Sequence, residues 1–142
     1  VIVVDASVVC KWFLPEAGTE RALVLLDGPL ELVAPAVIRL EVAGAITRRQ
    51  RLGECDDAEA RFLCDTWSER LGQGAVTLLP DDELLGRAVA LAVELRHALA
   101  DCLYLAAAEL RGVPLVTADA TFRKRAAAHY PDIHLLSRWQ AN

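Results

Sequence analysis

At 142 residues, 54% of them hydrophobic and with a formal net charge of −5, the chain has the size of one domain with a continuous core. No apolar run approaches the ~20 residues needed to cross a bilayer, so no stretch of these residues is expected to be a membrane anchor, and the acidic balance argues against a purely electrostatic nucleic-acid binder. Cys10, Cys55, Cys64 and Cys102 are scattered without a C-x-x-C pair, and no histidine stands at zinc-site spacing from them, which disfavours a structural zinc and favours reduced thiols.

The opening run Val1 to Val4 is rich in β-branched residues without polar alternation, which predicts a central strand covered on both faces. It has no basic segment followed by an apolar one, so a cytoplasmic protein is expected, and the absence of Met at position 1 suggests a trimmed start. Asp5 ends the strand and, taken alone, reads first as the cap of a helix over Ala6 to Leu14 and only second as a ligand. Pro15 and Gly18 end that helix, and Thr19 is expected to cap a second one reaching about Asp27. After the Gly28-Pro29 turn, Leu30 to Val33 reads as a second strand. Pro35 suits the first position of a helix through Arg51.

Glu41 lies inside that helix with Val37, Gly44 and Ala45 as its neighbours along the face. A carboxylate on so small and apolar a face needs a partner, either Arg48 one turn further on or a metal. The basic run Arg48-Arg49-Gln50-Arg51 complements the helix dipole. Asp56 to Leu71 is amphipathic, with Ala60, Leu63, Cys64, Trp67 and Leu71 on one side. Ala75 to Leu79 is a third strand, and Pro80-Asp81-Asp82-Glu83 starts the next helix, continuing over Leu84 to Arg96. Leu84 to Leu110 as a whole reads as a pair of buried helices.

The stretch Leu99 to Phe122 organises the rest. Asp101 is expected to open an apolar helix that Gly112 stops, Pro114 to Thr117 is a short buried strand, and Asp119 follows it. A helix from Ala120 to His129 carries Arg123, Lys124 and Arg125, and Ile133 to Leu136 is a final strand. Strands alternating with helices predict a parallel sheet covered on both sides, a three-layer α/β/α sandwich in one domain over residues 1–142. Parallel pairing of the strands that end at Asp5 and at Asp119 would bring those acids to the sheet edge where ligands bind, with Asp101 in reach.

Carboxylates gathered in one cleft repel each other and must take up protons or share a cation. Ligation by oxygen alone suits Mg²⁺ or Mn²⁺, whose chemistry is phosphoryl transfer. With those four acids set aside the chain is close to neutral, so its bulk charge no longer argues against a nucleic-acid substrate. Ser7 and Thr117, each two residues from an acid, are placed to orient it. Trp12, Phe13, Leu14 and Trp67 are either core or the lining of a groove for a partner helix.

VIVVDASVV, PAVIRLEVAGAI, LADCLYLAAA and PLVTADATF, in that order, resemble the motifs of PIN-domain nucleases, and the length resembles the toxin subunits of VapBC toxin–antitoxin pairs. The resemblance implies a PIN-like fold and a Mg²⁺- or Mn²⁺-dependent endoribonuclease. It makes Asp5, Glu41, Asp101 and Asp119 the metal-binding catalytic acids, assisted by Ser7 or Thr117. It further implies a homodimer held inactive by a small VapB-like antitoxin, with RNA as substrate. Arg123, Lys124 and Arg125 are the expected contacts to the RNA backbone. Two positions depart from the family pattern: Gly44 replaces a polar residue common three positions after the glutamate, and Cys102 follows the third acid. A receiver-type signalling domain would need adjacent acids after the first strand and a lysine near the last, and a phosphatase would need an acid at position 7. A non-catalytic PIN-like module binding RNA or protein is the remaining alternative.

Overall fold

The computed structural model describes residues 1–140. Five strands form one parallel sheet: β1 (Ile2–Val4), β2 (Leu32–Pro35), β3 (Thr77–Leu79), β4 (Leu115–Thr117) and β5 (Ile133–Leu135), in the order β3-β2-β1-β4-β5. Val3 pairs with Val33 on one side and Leu115 on the other, and Val4 with Val116. Every residue of β1, β2 and β4 is buried. Successive side chains point to opposite faces, so burial of all of them means that helices cover both faces, as the unbroken apolar runs require. The chain moves outward from β1 to β3, then returns to place β4 on β1's other side. The reversal lies between β1 and β4, the usual place for a ligand crevice in an open α/β sheet.

Among the described residues seven α-helices connect the strands: α1 (Ala6–Val9), α2 (Thr19–Asp27), α3 (Ile38–Arg51), α4 (Asp57–Gly72), α5 (Asp81–Leu95), α6 (Leu99–Arg111) and α7 (Ala120–Ala126). Cys102 through Ala108 of α6 are buried without a break. Helix α6 is packed between the sheet and α5, and Ala106, Ala107 and Ala108 are small enough to permit the close approach. Its partner α5 buries Leu84, Ala88 and Leu91 but exposes Leu85, Val89 and Val93, so only one of the two helices expected to be buried is so. No helix among the described residues is long and apolar enough to cross a membrane.

Several boundaries differ from the sequence reading for identifiable reasons. The first helix gives way to a 3-10 turn at Cys10–Trp12, where Phe13 N–H bonds Cys10 O at 3.1 Å ahead of Pro15. Gly18, at φ 90°, takes the cap position expected of Thr19, whose hydroxyl instead donates to Glu16 O. Pro35 does not open α3: it is the last residue of β2, paired with Leu79, and α3 begins three residues later. β3 starts at Thr77 because Ala75 N–H is committed to Arg70 O. Helix α7 stops at Ala126, where Tyr130 N–H turns back to Ala126 O and the Tyr130 hydroxyl donates to Val113 O at 2.7 Å. Leu136 belongs to a 3-10 turn and not to β5.

Trp67 and Leu14 are core residues, while Trp12 and Phe13 are half-buried. Trp67 meets Phe13 and Trp12 edge-on, with centroids 5.8 and 6.4 Å away. The two indoles donate to Arg39 O and Ala22 O, tying α4 and the first turn to α3 and α2. For Trp67 and Leu14 the core reading wins over the groove. The four cysteines are free thiols.

Candidate active site

Asp5 leaves the C-terminal end of β1 and is buried at 3% exposure. Ser7 Oγ and Thr117 Oγ1 donate to its two carboxylate oxygens, and Val8 N–H adds a contact that makes Asp5 the cap of α1. Helix cap and sheet-edge acid are therefore the same residue in two roles. Burial pushes its pKa up to about 6, and the Asp101 carboxylate adds to the rise while the two hydroxyls oppose it. Ser7 and Thr117 also join the strand ends: Ala118 N–H donates to Ser7 Oγ at 2.9 Å and Asp119 N–H to Thr117 Oγ1 at 3.0 Å.

Asp119 sits exposed after β4, where its Oδ1 accepts from Phe122 N–H at 3.0 Å and caps α7. Glu41 projects from the first turn of α3. It makes no ion pair with Arg48; its Oε1 accepts the Tyr104 hydroxyl at 2.6 Å. Burial raises the Glu41 pKa, and Asp101 and Asp81 push in the same direction against the Tyr104 hydrogen bond. The Tyr104 phenol is itself driven far up by burial and by Glu41, so it remains a donor.

Asp101 does not open its helix. Ala98 occupies the cap position of α6, with Cys102 N–H bonded to Ala98 O, and Asp101 lies within the first turn with Oδ2 2.6 Å from His97 Nε2. Freed from capping, its carboxylate raises the pKa of both Asp5 and Glu41. Cys102, beside it, is fully buried, and burial pushes its thiol up to about 11, so it is an inert core residue. At Gly44 the fold leaves open space, with nothing within 4 Å of where a side chain would begin.

The structure thus brings Asp101 within the electrostatic reach of both Asp5 and Glu41, with Asp119 linked to Asp5 through Thr117. Among the described residues, no three His, Cys, Asp or Glu side chains converge tightly enough to hold an ion as they stand. The donor set nonetheless fits a hard divalent cation: the acids are oxygen donors, two of them have raised pKa values, and the groups acting on those two are burial, hydroxyls, a backbone amide and other carboxylates. Arg123, Lys124 and Arg125 are exposed on α7, with Arg125 turned toward Arg96 O and His97.

Three contributors escape the sequence reading. Tyr104 is three residues from Asp101 on α6 but serves Glu41, 63 residues away, and no local pattern signals that contact. Asp81, read as a helix start, also accepts Val37 N–H at 3.0 Å, tying the end of β3 to the residue before α3. His97 precedes Asp101 by four residues, a helical pairing distance that the sequence does display.

The family model for the PIN domain matches residues 2–128. Among solved structures, a toxin–antitoxin complex from Klebsiella pneumoniae is similar at 19% identity and TM-score 0.65, covering 96% of this chain and 98% of that one. The Mycobacterium tuberculosis toxin VapC20, described as cleaving the sarcin–ricin loop, matches at 18% identity and TM-score 0.66, covering 87% and 94%. FitAcB from Neisseria gonorrhoeae matches at 18% identity and TM-score 0.64, covering 98% and 100%. At these identities the likeness is one of fold. No curated protein matches the chain in sequence.

Proposed function

The chain belongs to the PIN-domain family, and from that membership we propose that it is a Mg²⁺- or Mn²⁺-dependent endoribonuclease, the toxin of a toxin–antitoxin pair. The observation that carries the reading is the placement of the acids: Asp5 is buried at the end of β1 and joined through Thr117 to Asp119 after β4, where the sheet order reverses. Asp5 and Glu41, held at raised pKa chiefly by burial, are further repelled by the Asp101 carboxylate. A shared cation relieves that repulsion. Asp5, Glu41, Asp101 and Asp119 are the residues to hold it. When bound, the ion would supply Lewis-acid polarisation of the phosphate and a water more acidic than bulk water.

The chain's own residues supply the rest. Ser7 and Thr117 hold both oxygens of Asp5 in place, and Tyr104 holds Glu41. The strand ends joined through Ser7 and Thr117 keep Asp119 beside Asp5. Arg123 and Lys124, exposed on the helix that Asp119 caps, meet the RNA backbone. The partners in this reading are RNA, a second copy of the chain and a small VapB-like antitoxin. The toxin–antitoxin complex among the structural neighbours supports the antitoxin, and the exposed Leu85, Val89 and Val93 support a protein interface. The place of action is the cytoplasm.

The reading is tested by incubating the protein with a mixed-sequence RNA and Mg²⁺ or Mn²⁺, with and without EDTA. Cleavage is expected only in the metal arms. RNA binding without metal-dependent cleavage would replace the nuclease with a non-catalytic PIN-like module. Arg123→Ala is expected to weaken RNA binding and lower the slope of log affinity against log salt by about 1, because one phosphate contact is lost. An unchanged slope returns Arg123 to the solvated surface.

A further inference from the structure

Asp101 depends on a short chain of side chains behind it. His97 Nε2 stands 2.6 Å from Asp101 Oδ2, and the His97 side chain is only 8% exposed. Its ring is stacked on Phe122, with centroids 5.0 Å apart and planes 18° apart. On the far side of the ring, Arg125 Nη1 lies 3.3 Å from His97 Nδ1 and 3.2 Å from Arg96 O.

These contacts determine where the ring hydrogen sits. A guanidinium has only hydrogens to give, so Nδ1 must accept from Arg125. The imidazole hydrogen is then on Nε2, directed at the carboxylate. The backbone reinforces this direction. Arg96 is the one non-glycine among the described residues in the left-handed region, at φ 52°, and the turn it makes sends His97 N–H back to Ala92 O at 3.2 Å. That turn separates α5 from α6 and sets His97 one helical turn before Asp101. Phe122, which fixes the plane of the ring, is anchored in turn by its N–H to Asp119.

We propose that His97 is the positioning residue of Asp101, held by Arg125 as its Nε2–H tautomer, so that one carboxylate oxygen is committed to the imidazole and the other is presented to the divalent cation. The proposal rests on the nuclease reading above. It divides the three cations of α7 between two roles, with Arg125 acting through His97 while Arg123 and Lys124 face the RNA. It also connects two of the acids, because Phe122 bonds Asp119 and stacks on the residue that orients Asp101.

The test uses the full chain with Mn²⁺ alone as the probe for binding, read as the rise in melting temperature, and then Mn²⁺ with RNA. His97→Phe keeps an aromatic ring against Phe122 and deletes the donor, and His97→Gln retains an amide donor. The Mn²⁺ concentration at half-effect is expected to rise about 10- to 100-fold in His97→Phe, in both the melting and the cleavage readouts, with a smaller loss in the plateau rate. His97→Gln should recover part of the loss. Arg125→Ala should shift the same midpoint, whereas Arg70→Ala, which removes an exposed cation of α4, should not. Nitrogen NMR of the parent near pH 8 should show the His97 hydrogen on Nε2. A His97→Phe protein with the parent's Mn²⁺ midpoint, or a parent with the hydrogen on Nδ1, overturns the proposal. If His97→Phe fails to fold, the Arg125→Ala midpoint and the tautomer decide the matter. Asp101→Asn separates the two levels: if it too leaves the Mn²⁺ response intact, the metal-site reading falls; if it abolishes the response while His97→Phe keeps the parent's midpoint, only the positioning role falls.

Discussion

Asp119→Asn is expected to lower metal-dependent RNA cleavage by roughly a thousandfold while leaving the fold intact and RNA binding at least as tight as in the parent. Positioned acids and bases contribute on the order of 10²–10⁴ in rate, and a thousandfold corresponds to about 4 kcal/mol of barrier. The substitution isolates charge from structure. Asp119 caps α7 through Oδ1, and asparagine is as good a cap as aspartate, so the helix keeps its start. The variant loses the anionic oxygen of a proposed metal ligand and little else. Removing a negative charge from the cleft also favours the approach of a polyanion. Glu41→Gln makes the parallel case, because the amide oxygen can still accept the Tyr104 hydroxyl that holds Glu41. Single-turnover cleavage and RNA binding, measured together on both variants, check the expectation. Parent-like cleavage by Asp119→Asn would remove it from the catalytic set.

The second large effect concerns stability in the absence of metal. Burial raises the Asp5 pKa from 3.8 to about 6, so the folded state binds the proton more tightly than the unfolded chain. The stabilising contribution of the neutral carboxyl is fully present below pH 3.8 and is lost as pH rises through about 6. Across that window the loss is roughly 3 kcal/mol. Asp5→Asn cannot ionise, and its side-chain oxygen can still accept in place of the carboxylate. In EDTA the variant should therefore match the parent near pH 4 and exceed its stability by roughly 3 kcal/mol near pH 7.5. Urea unfolding of both proteins at the two pH values measures the difference. A gap that does not change with pH would show that Asp5 is ionised without penalty in the folded protein. Saturating Mn²⁺ should close the gap from the other side, since only the parent gains from binding.

Much of this arrangement was legible because it depends on local chemistry. Val1 to Val4 and Pro114 to Thr117 are short, apolar and bounded by turn residues, and both became buried central strands with an acid at the end, give or take a residue. Their parallel pairing followed from alternation with helices. The two readings of Asp5 and Asp119, cap and sheet-edge acid, proved compatible, because in a βα unit the residue that ends the strand is the one that starts the helix. Asp101 was different: nothing at positions 96 to 98 announces that Arg96 adopts a left-handed conformation, so the start of α6 was misplaced by two residues and the acid was given a cap it does not make.

Residue order alone, then, determined the alternation of strands and helices, the parallel sheet and which acids stand at strand ends, since each depends on residues within a few positions of one another. Only the tertiary structure decided which partners hold those acids and how strongly each keeps its proton. Tyr104 reaches Glu41, Thr117 reaches Asp5 across 112 positions, and Asp81 accepts Val37 N–H across 44, contacts that exist only once the sheet has assembled. Asp5 is titrated toward neutral pH by burial and by Asp101, and burial is a property of the packed molecule that no stretch of sequence carries alone.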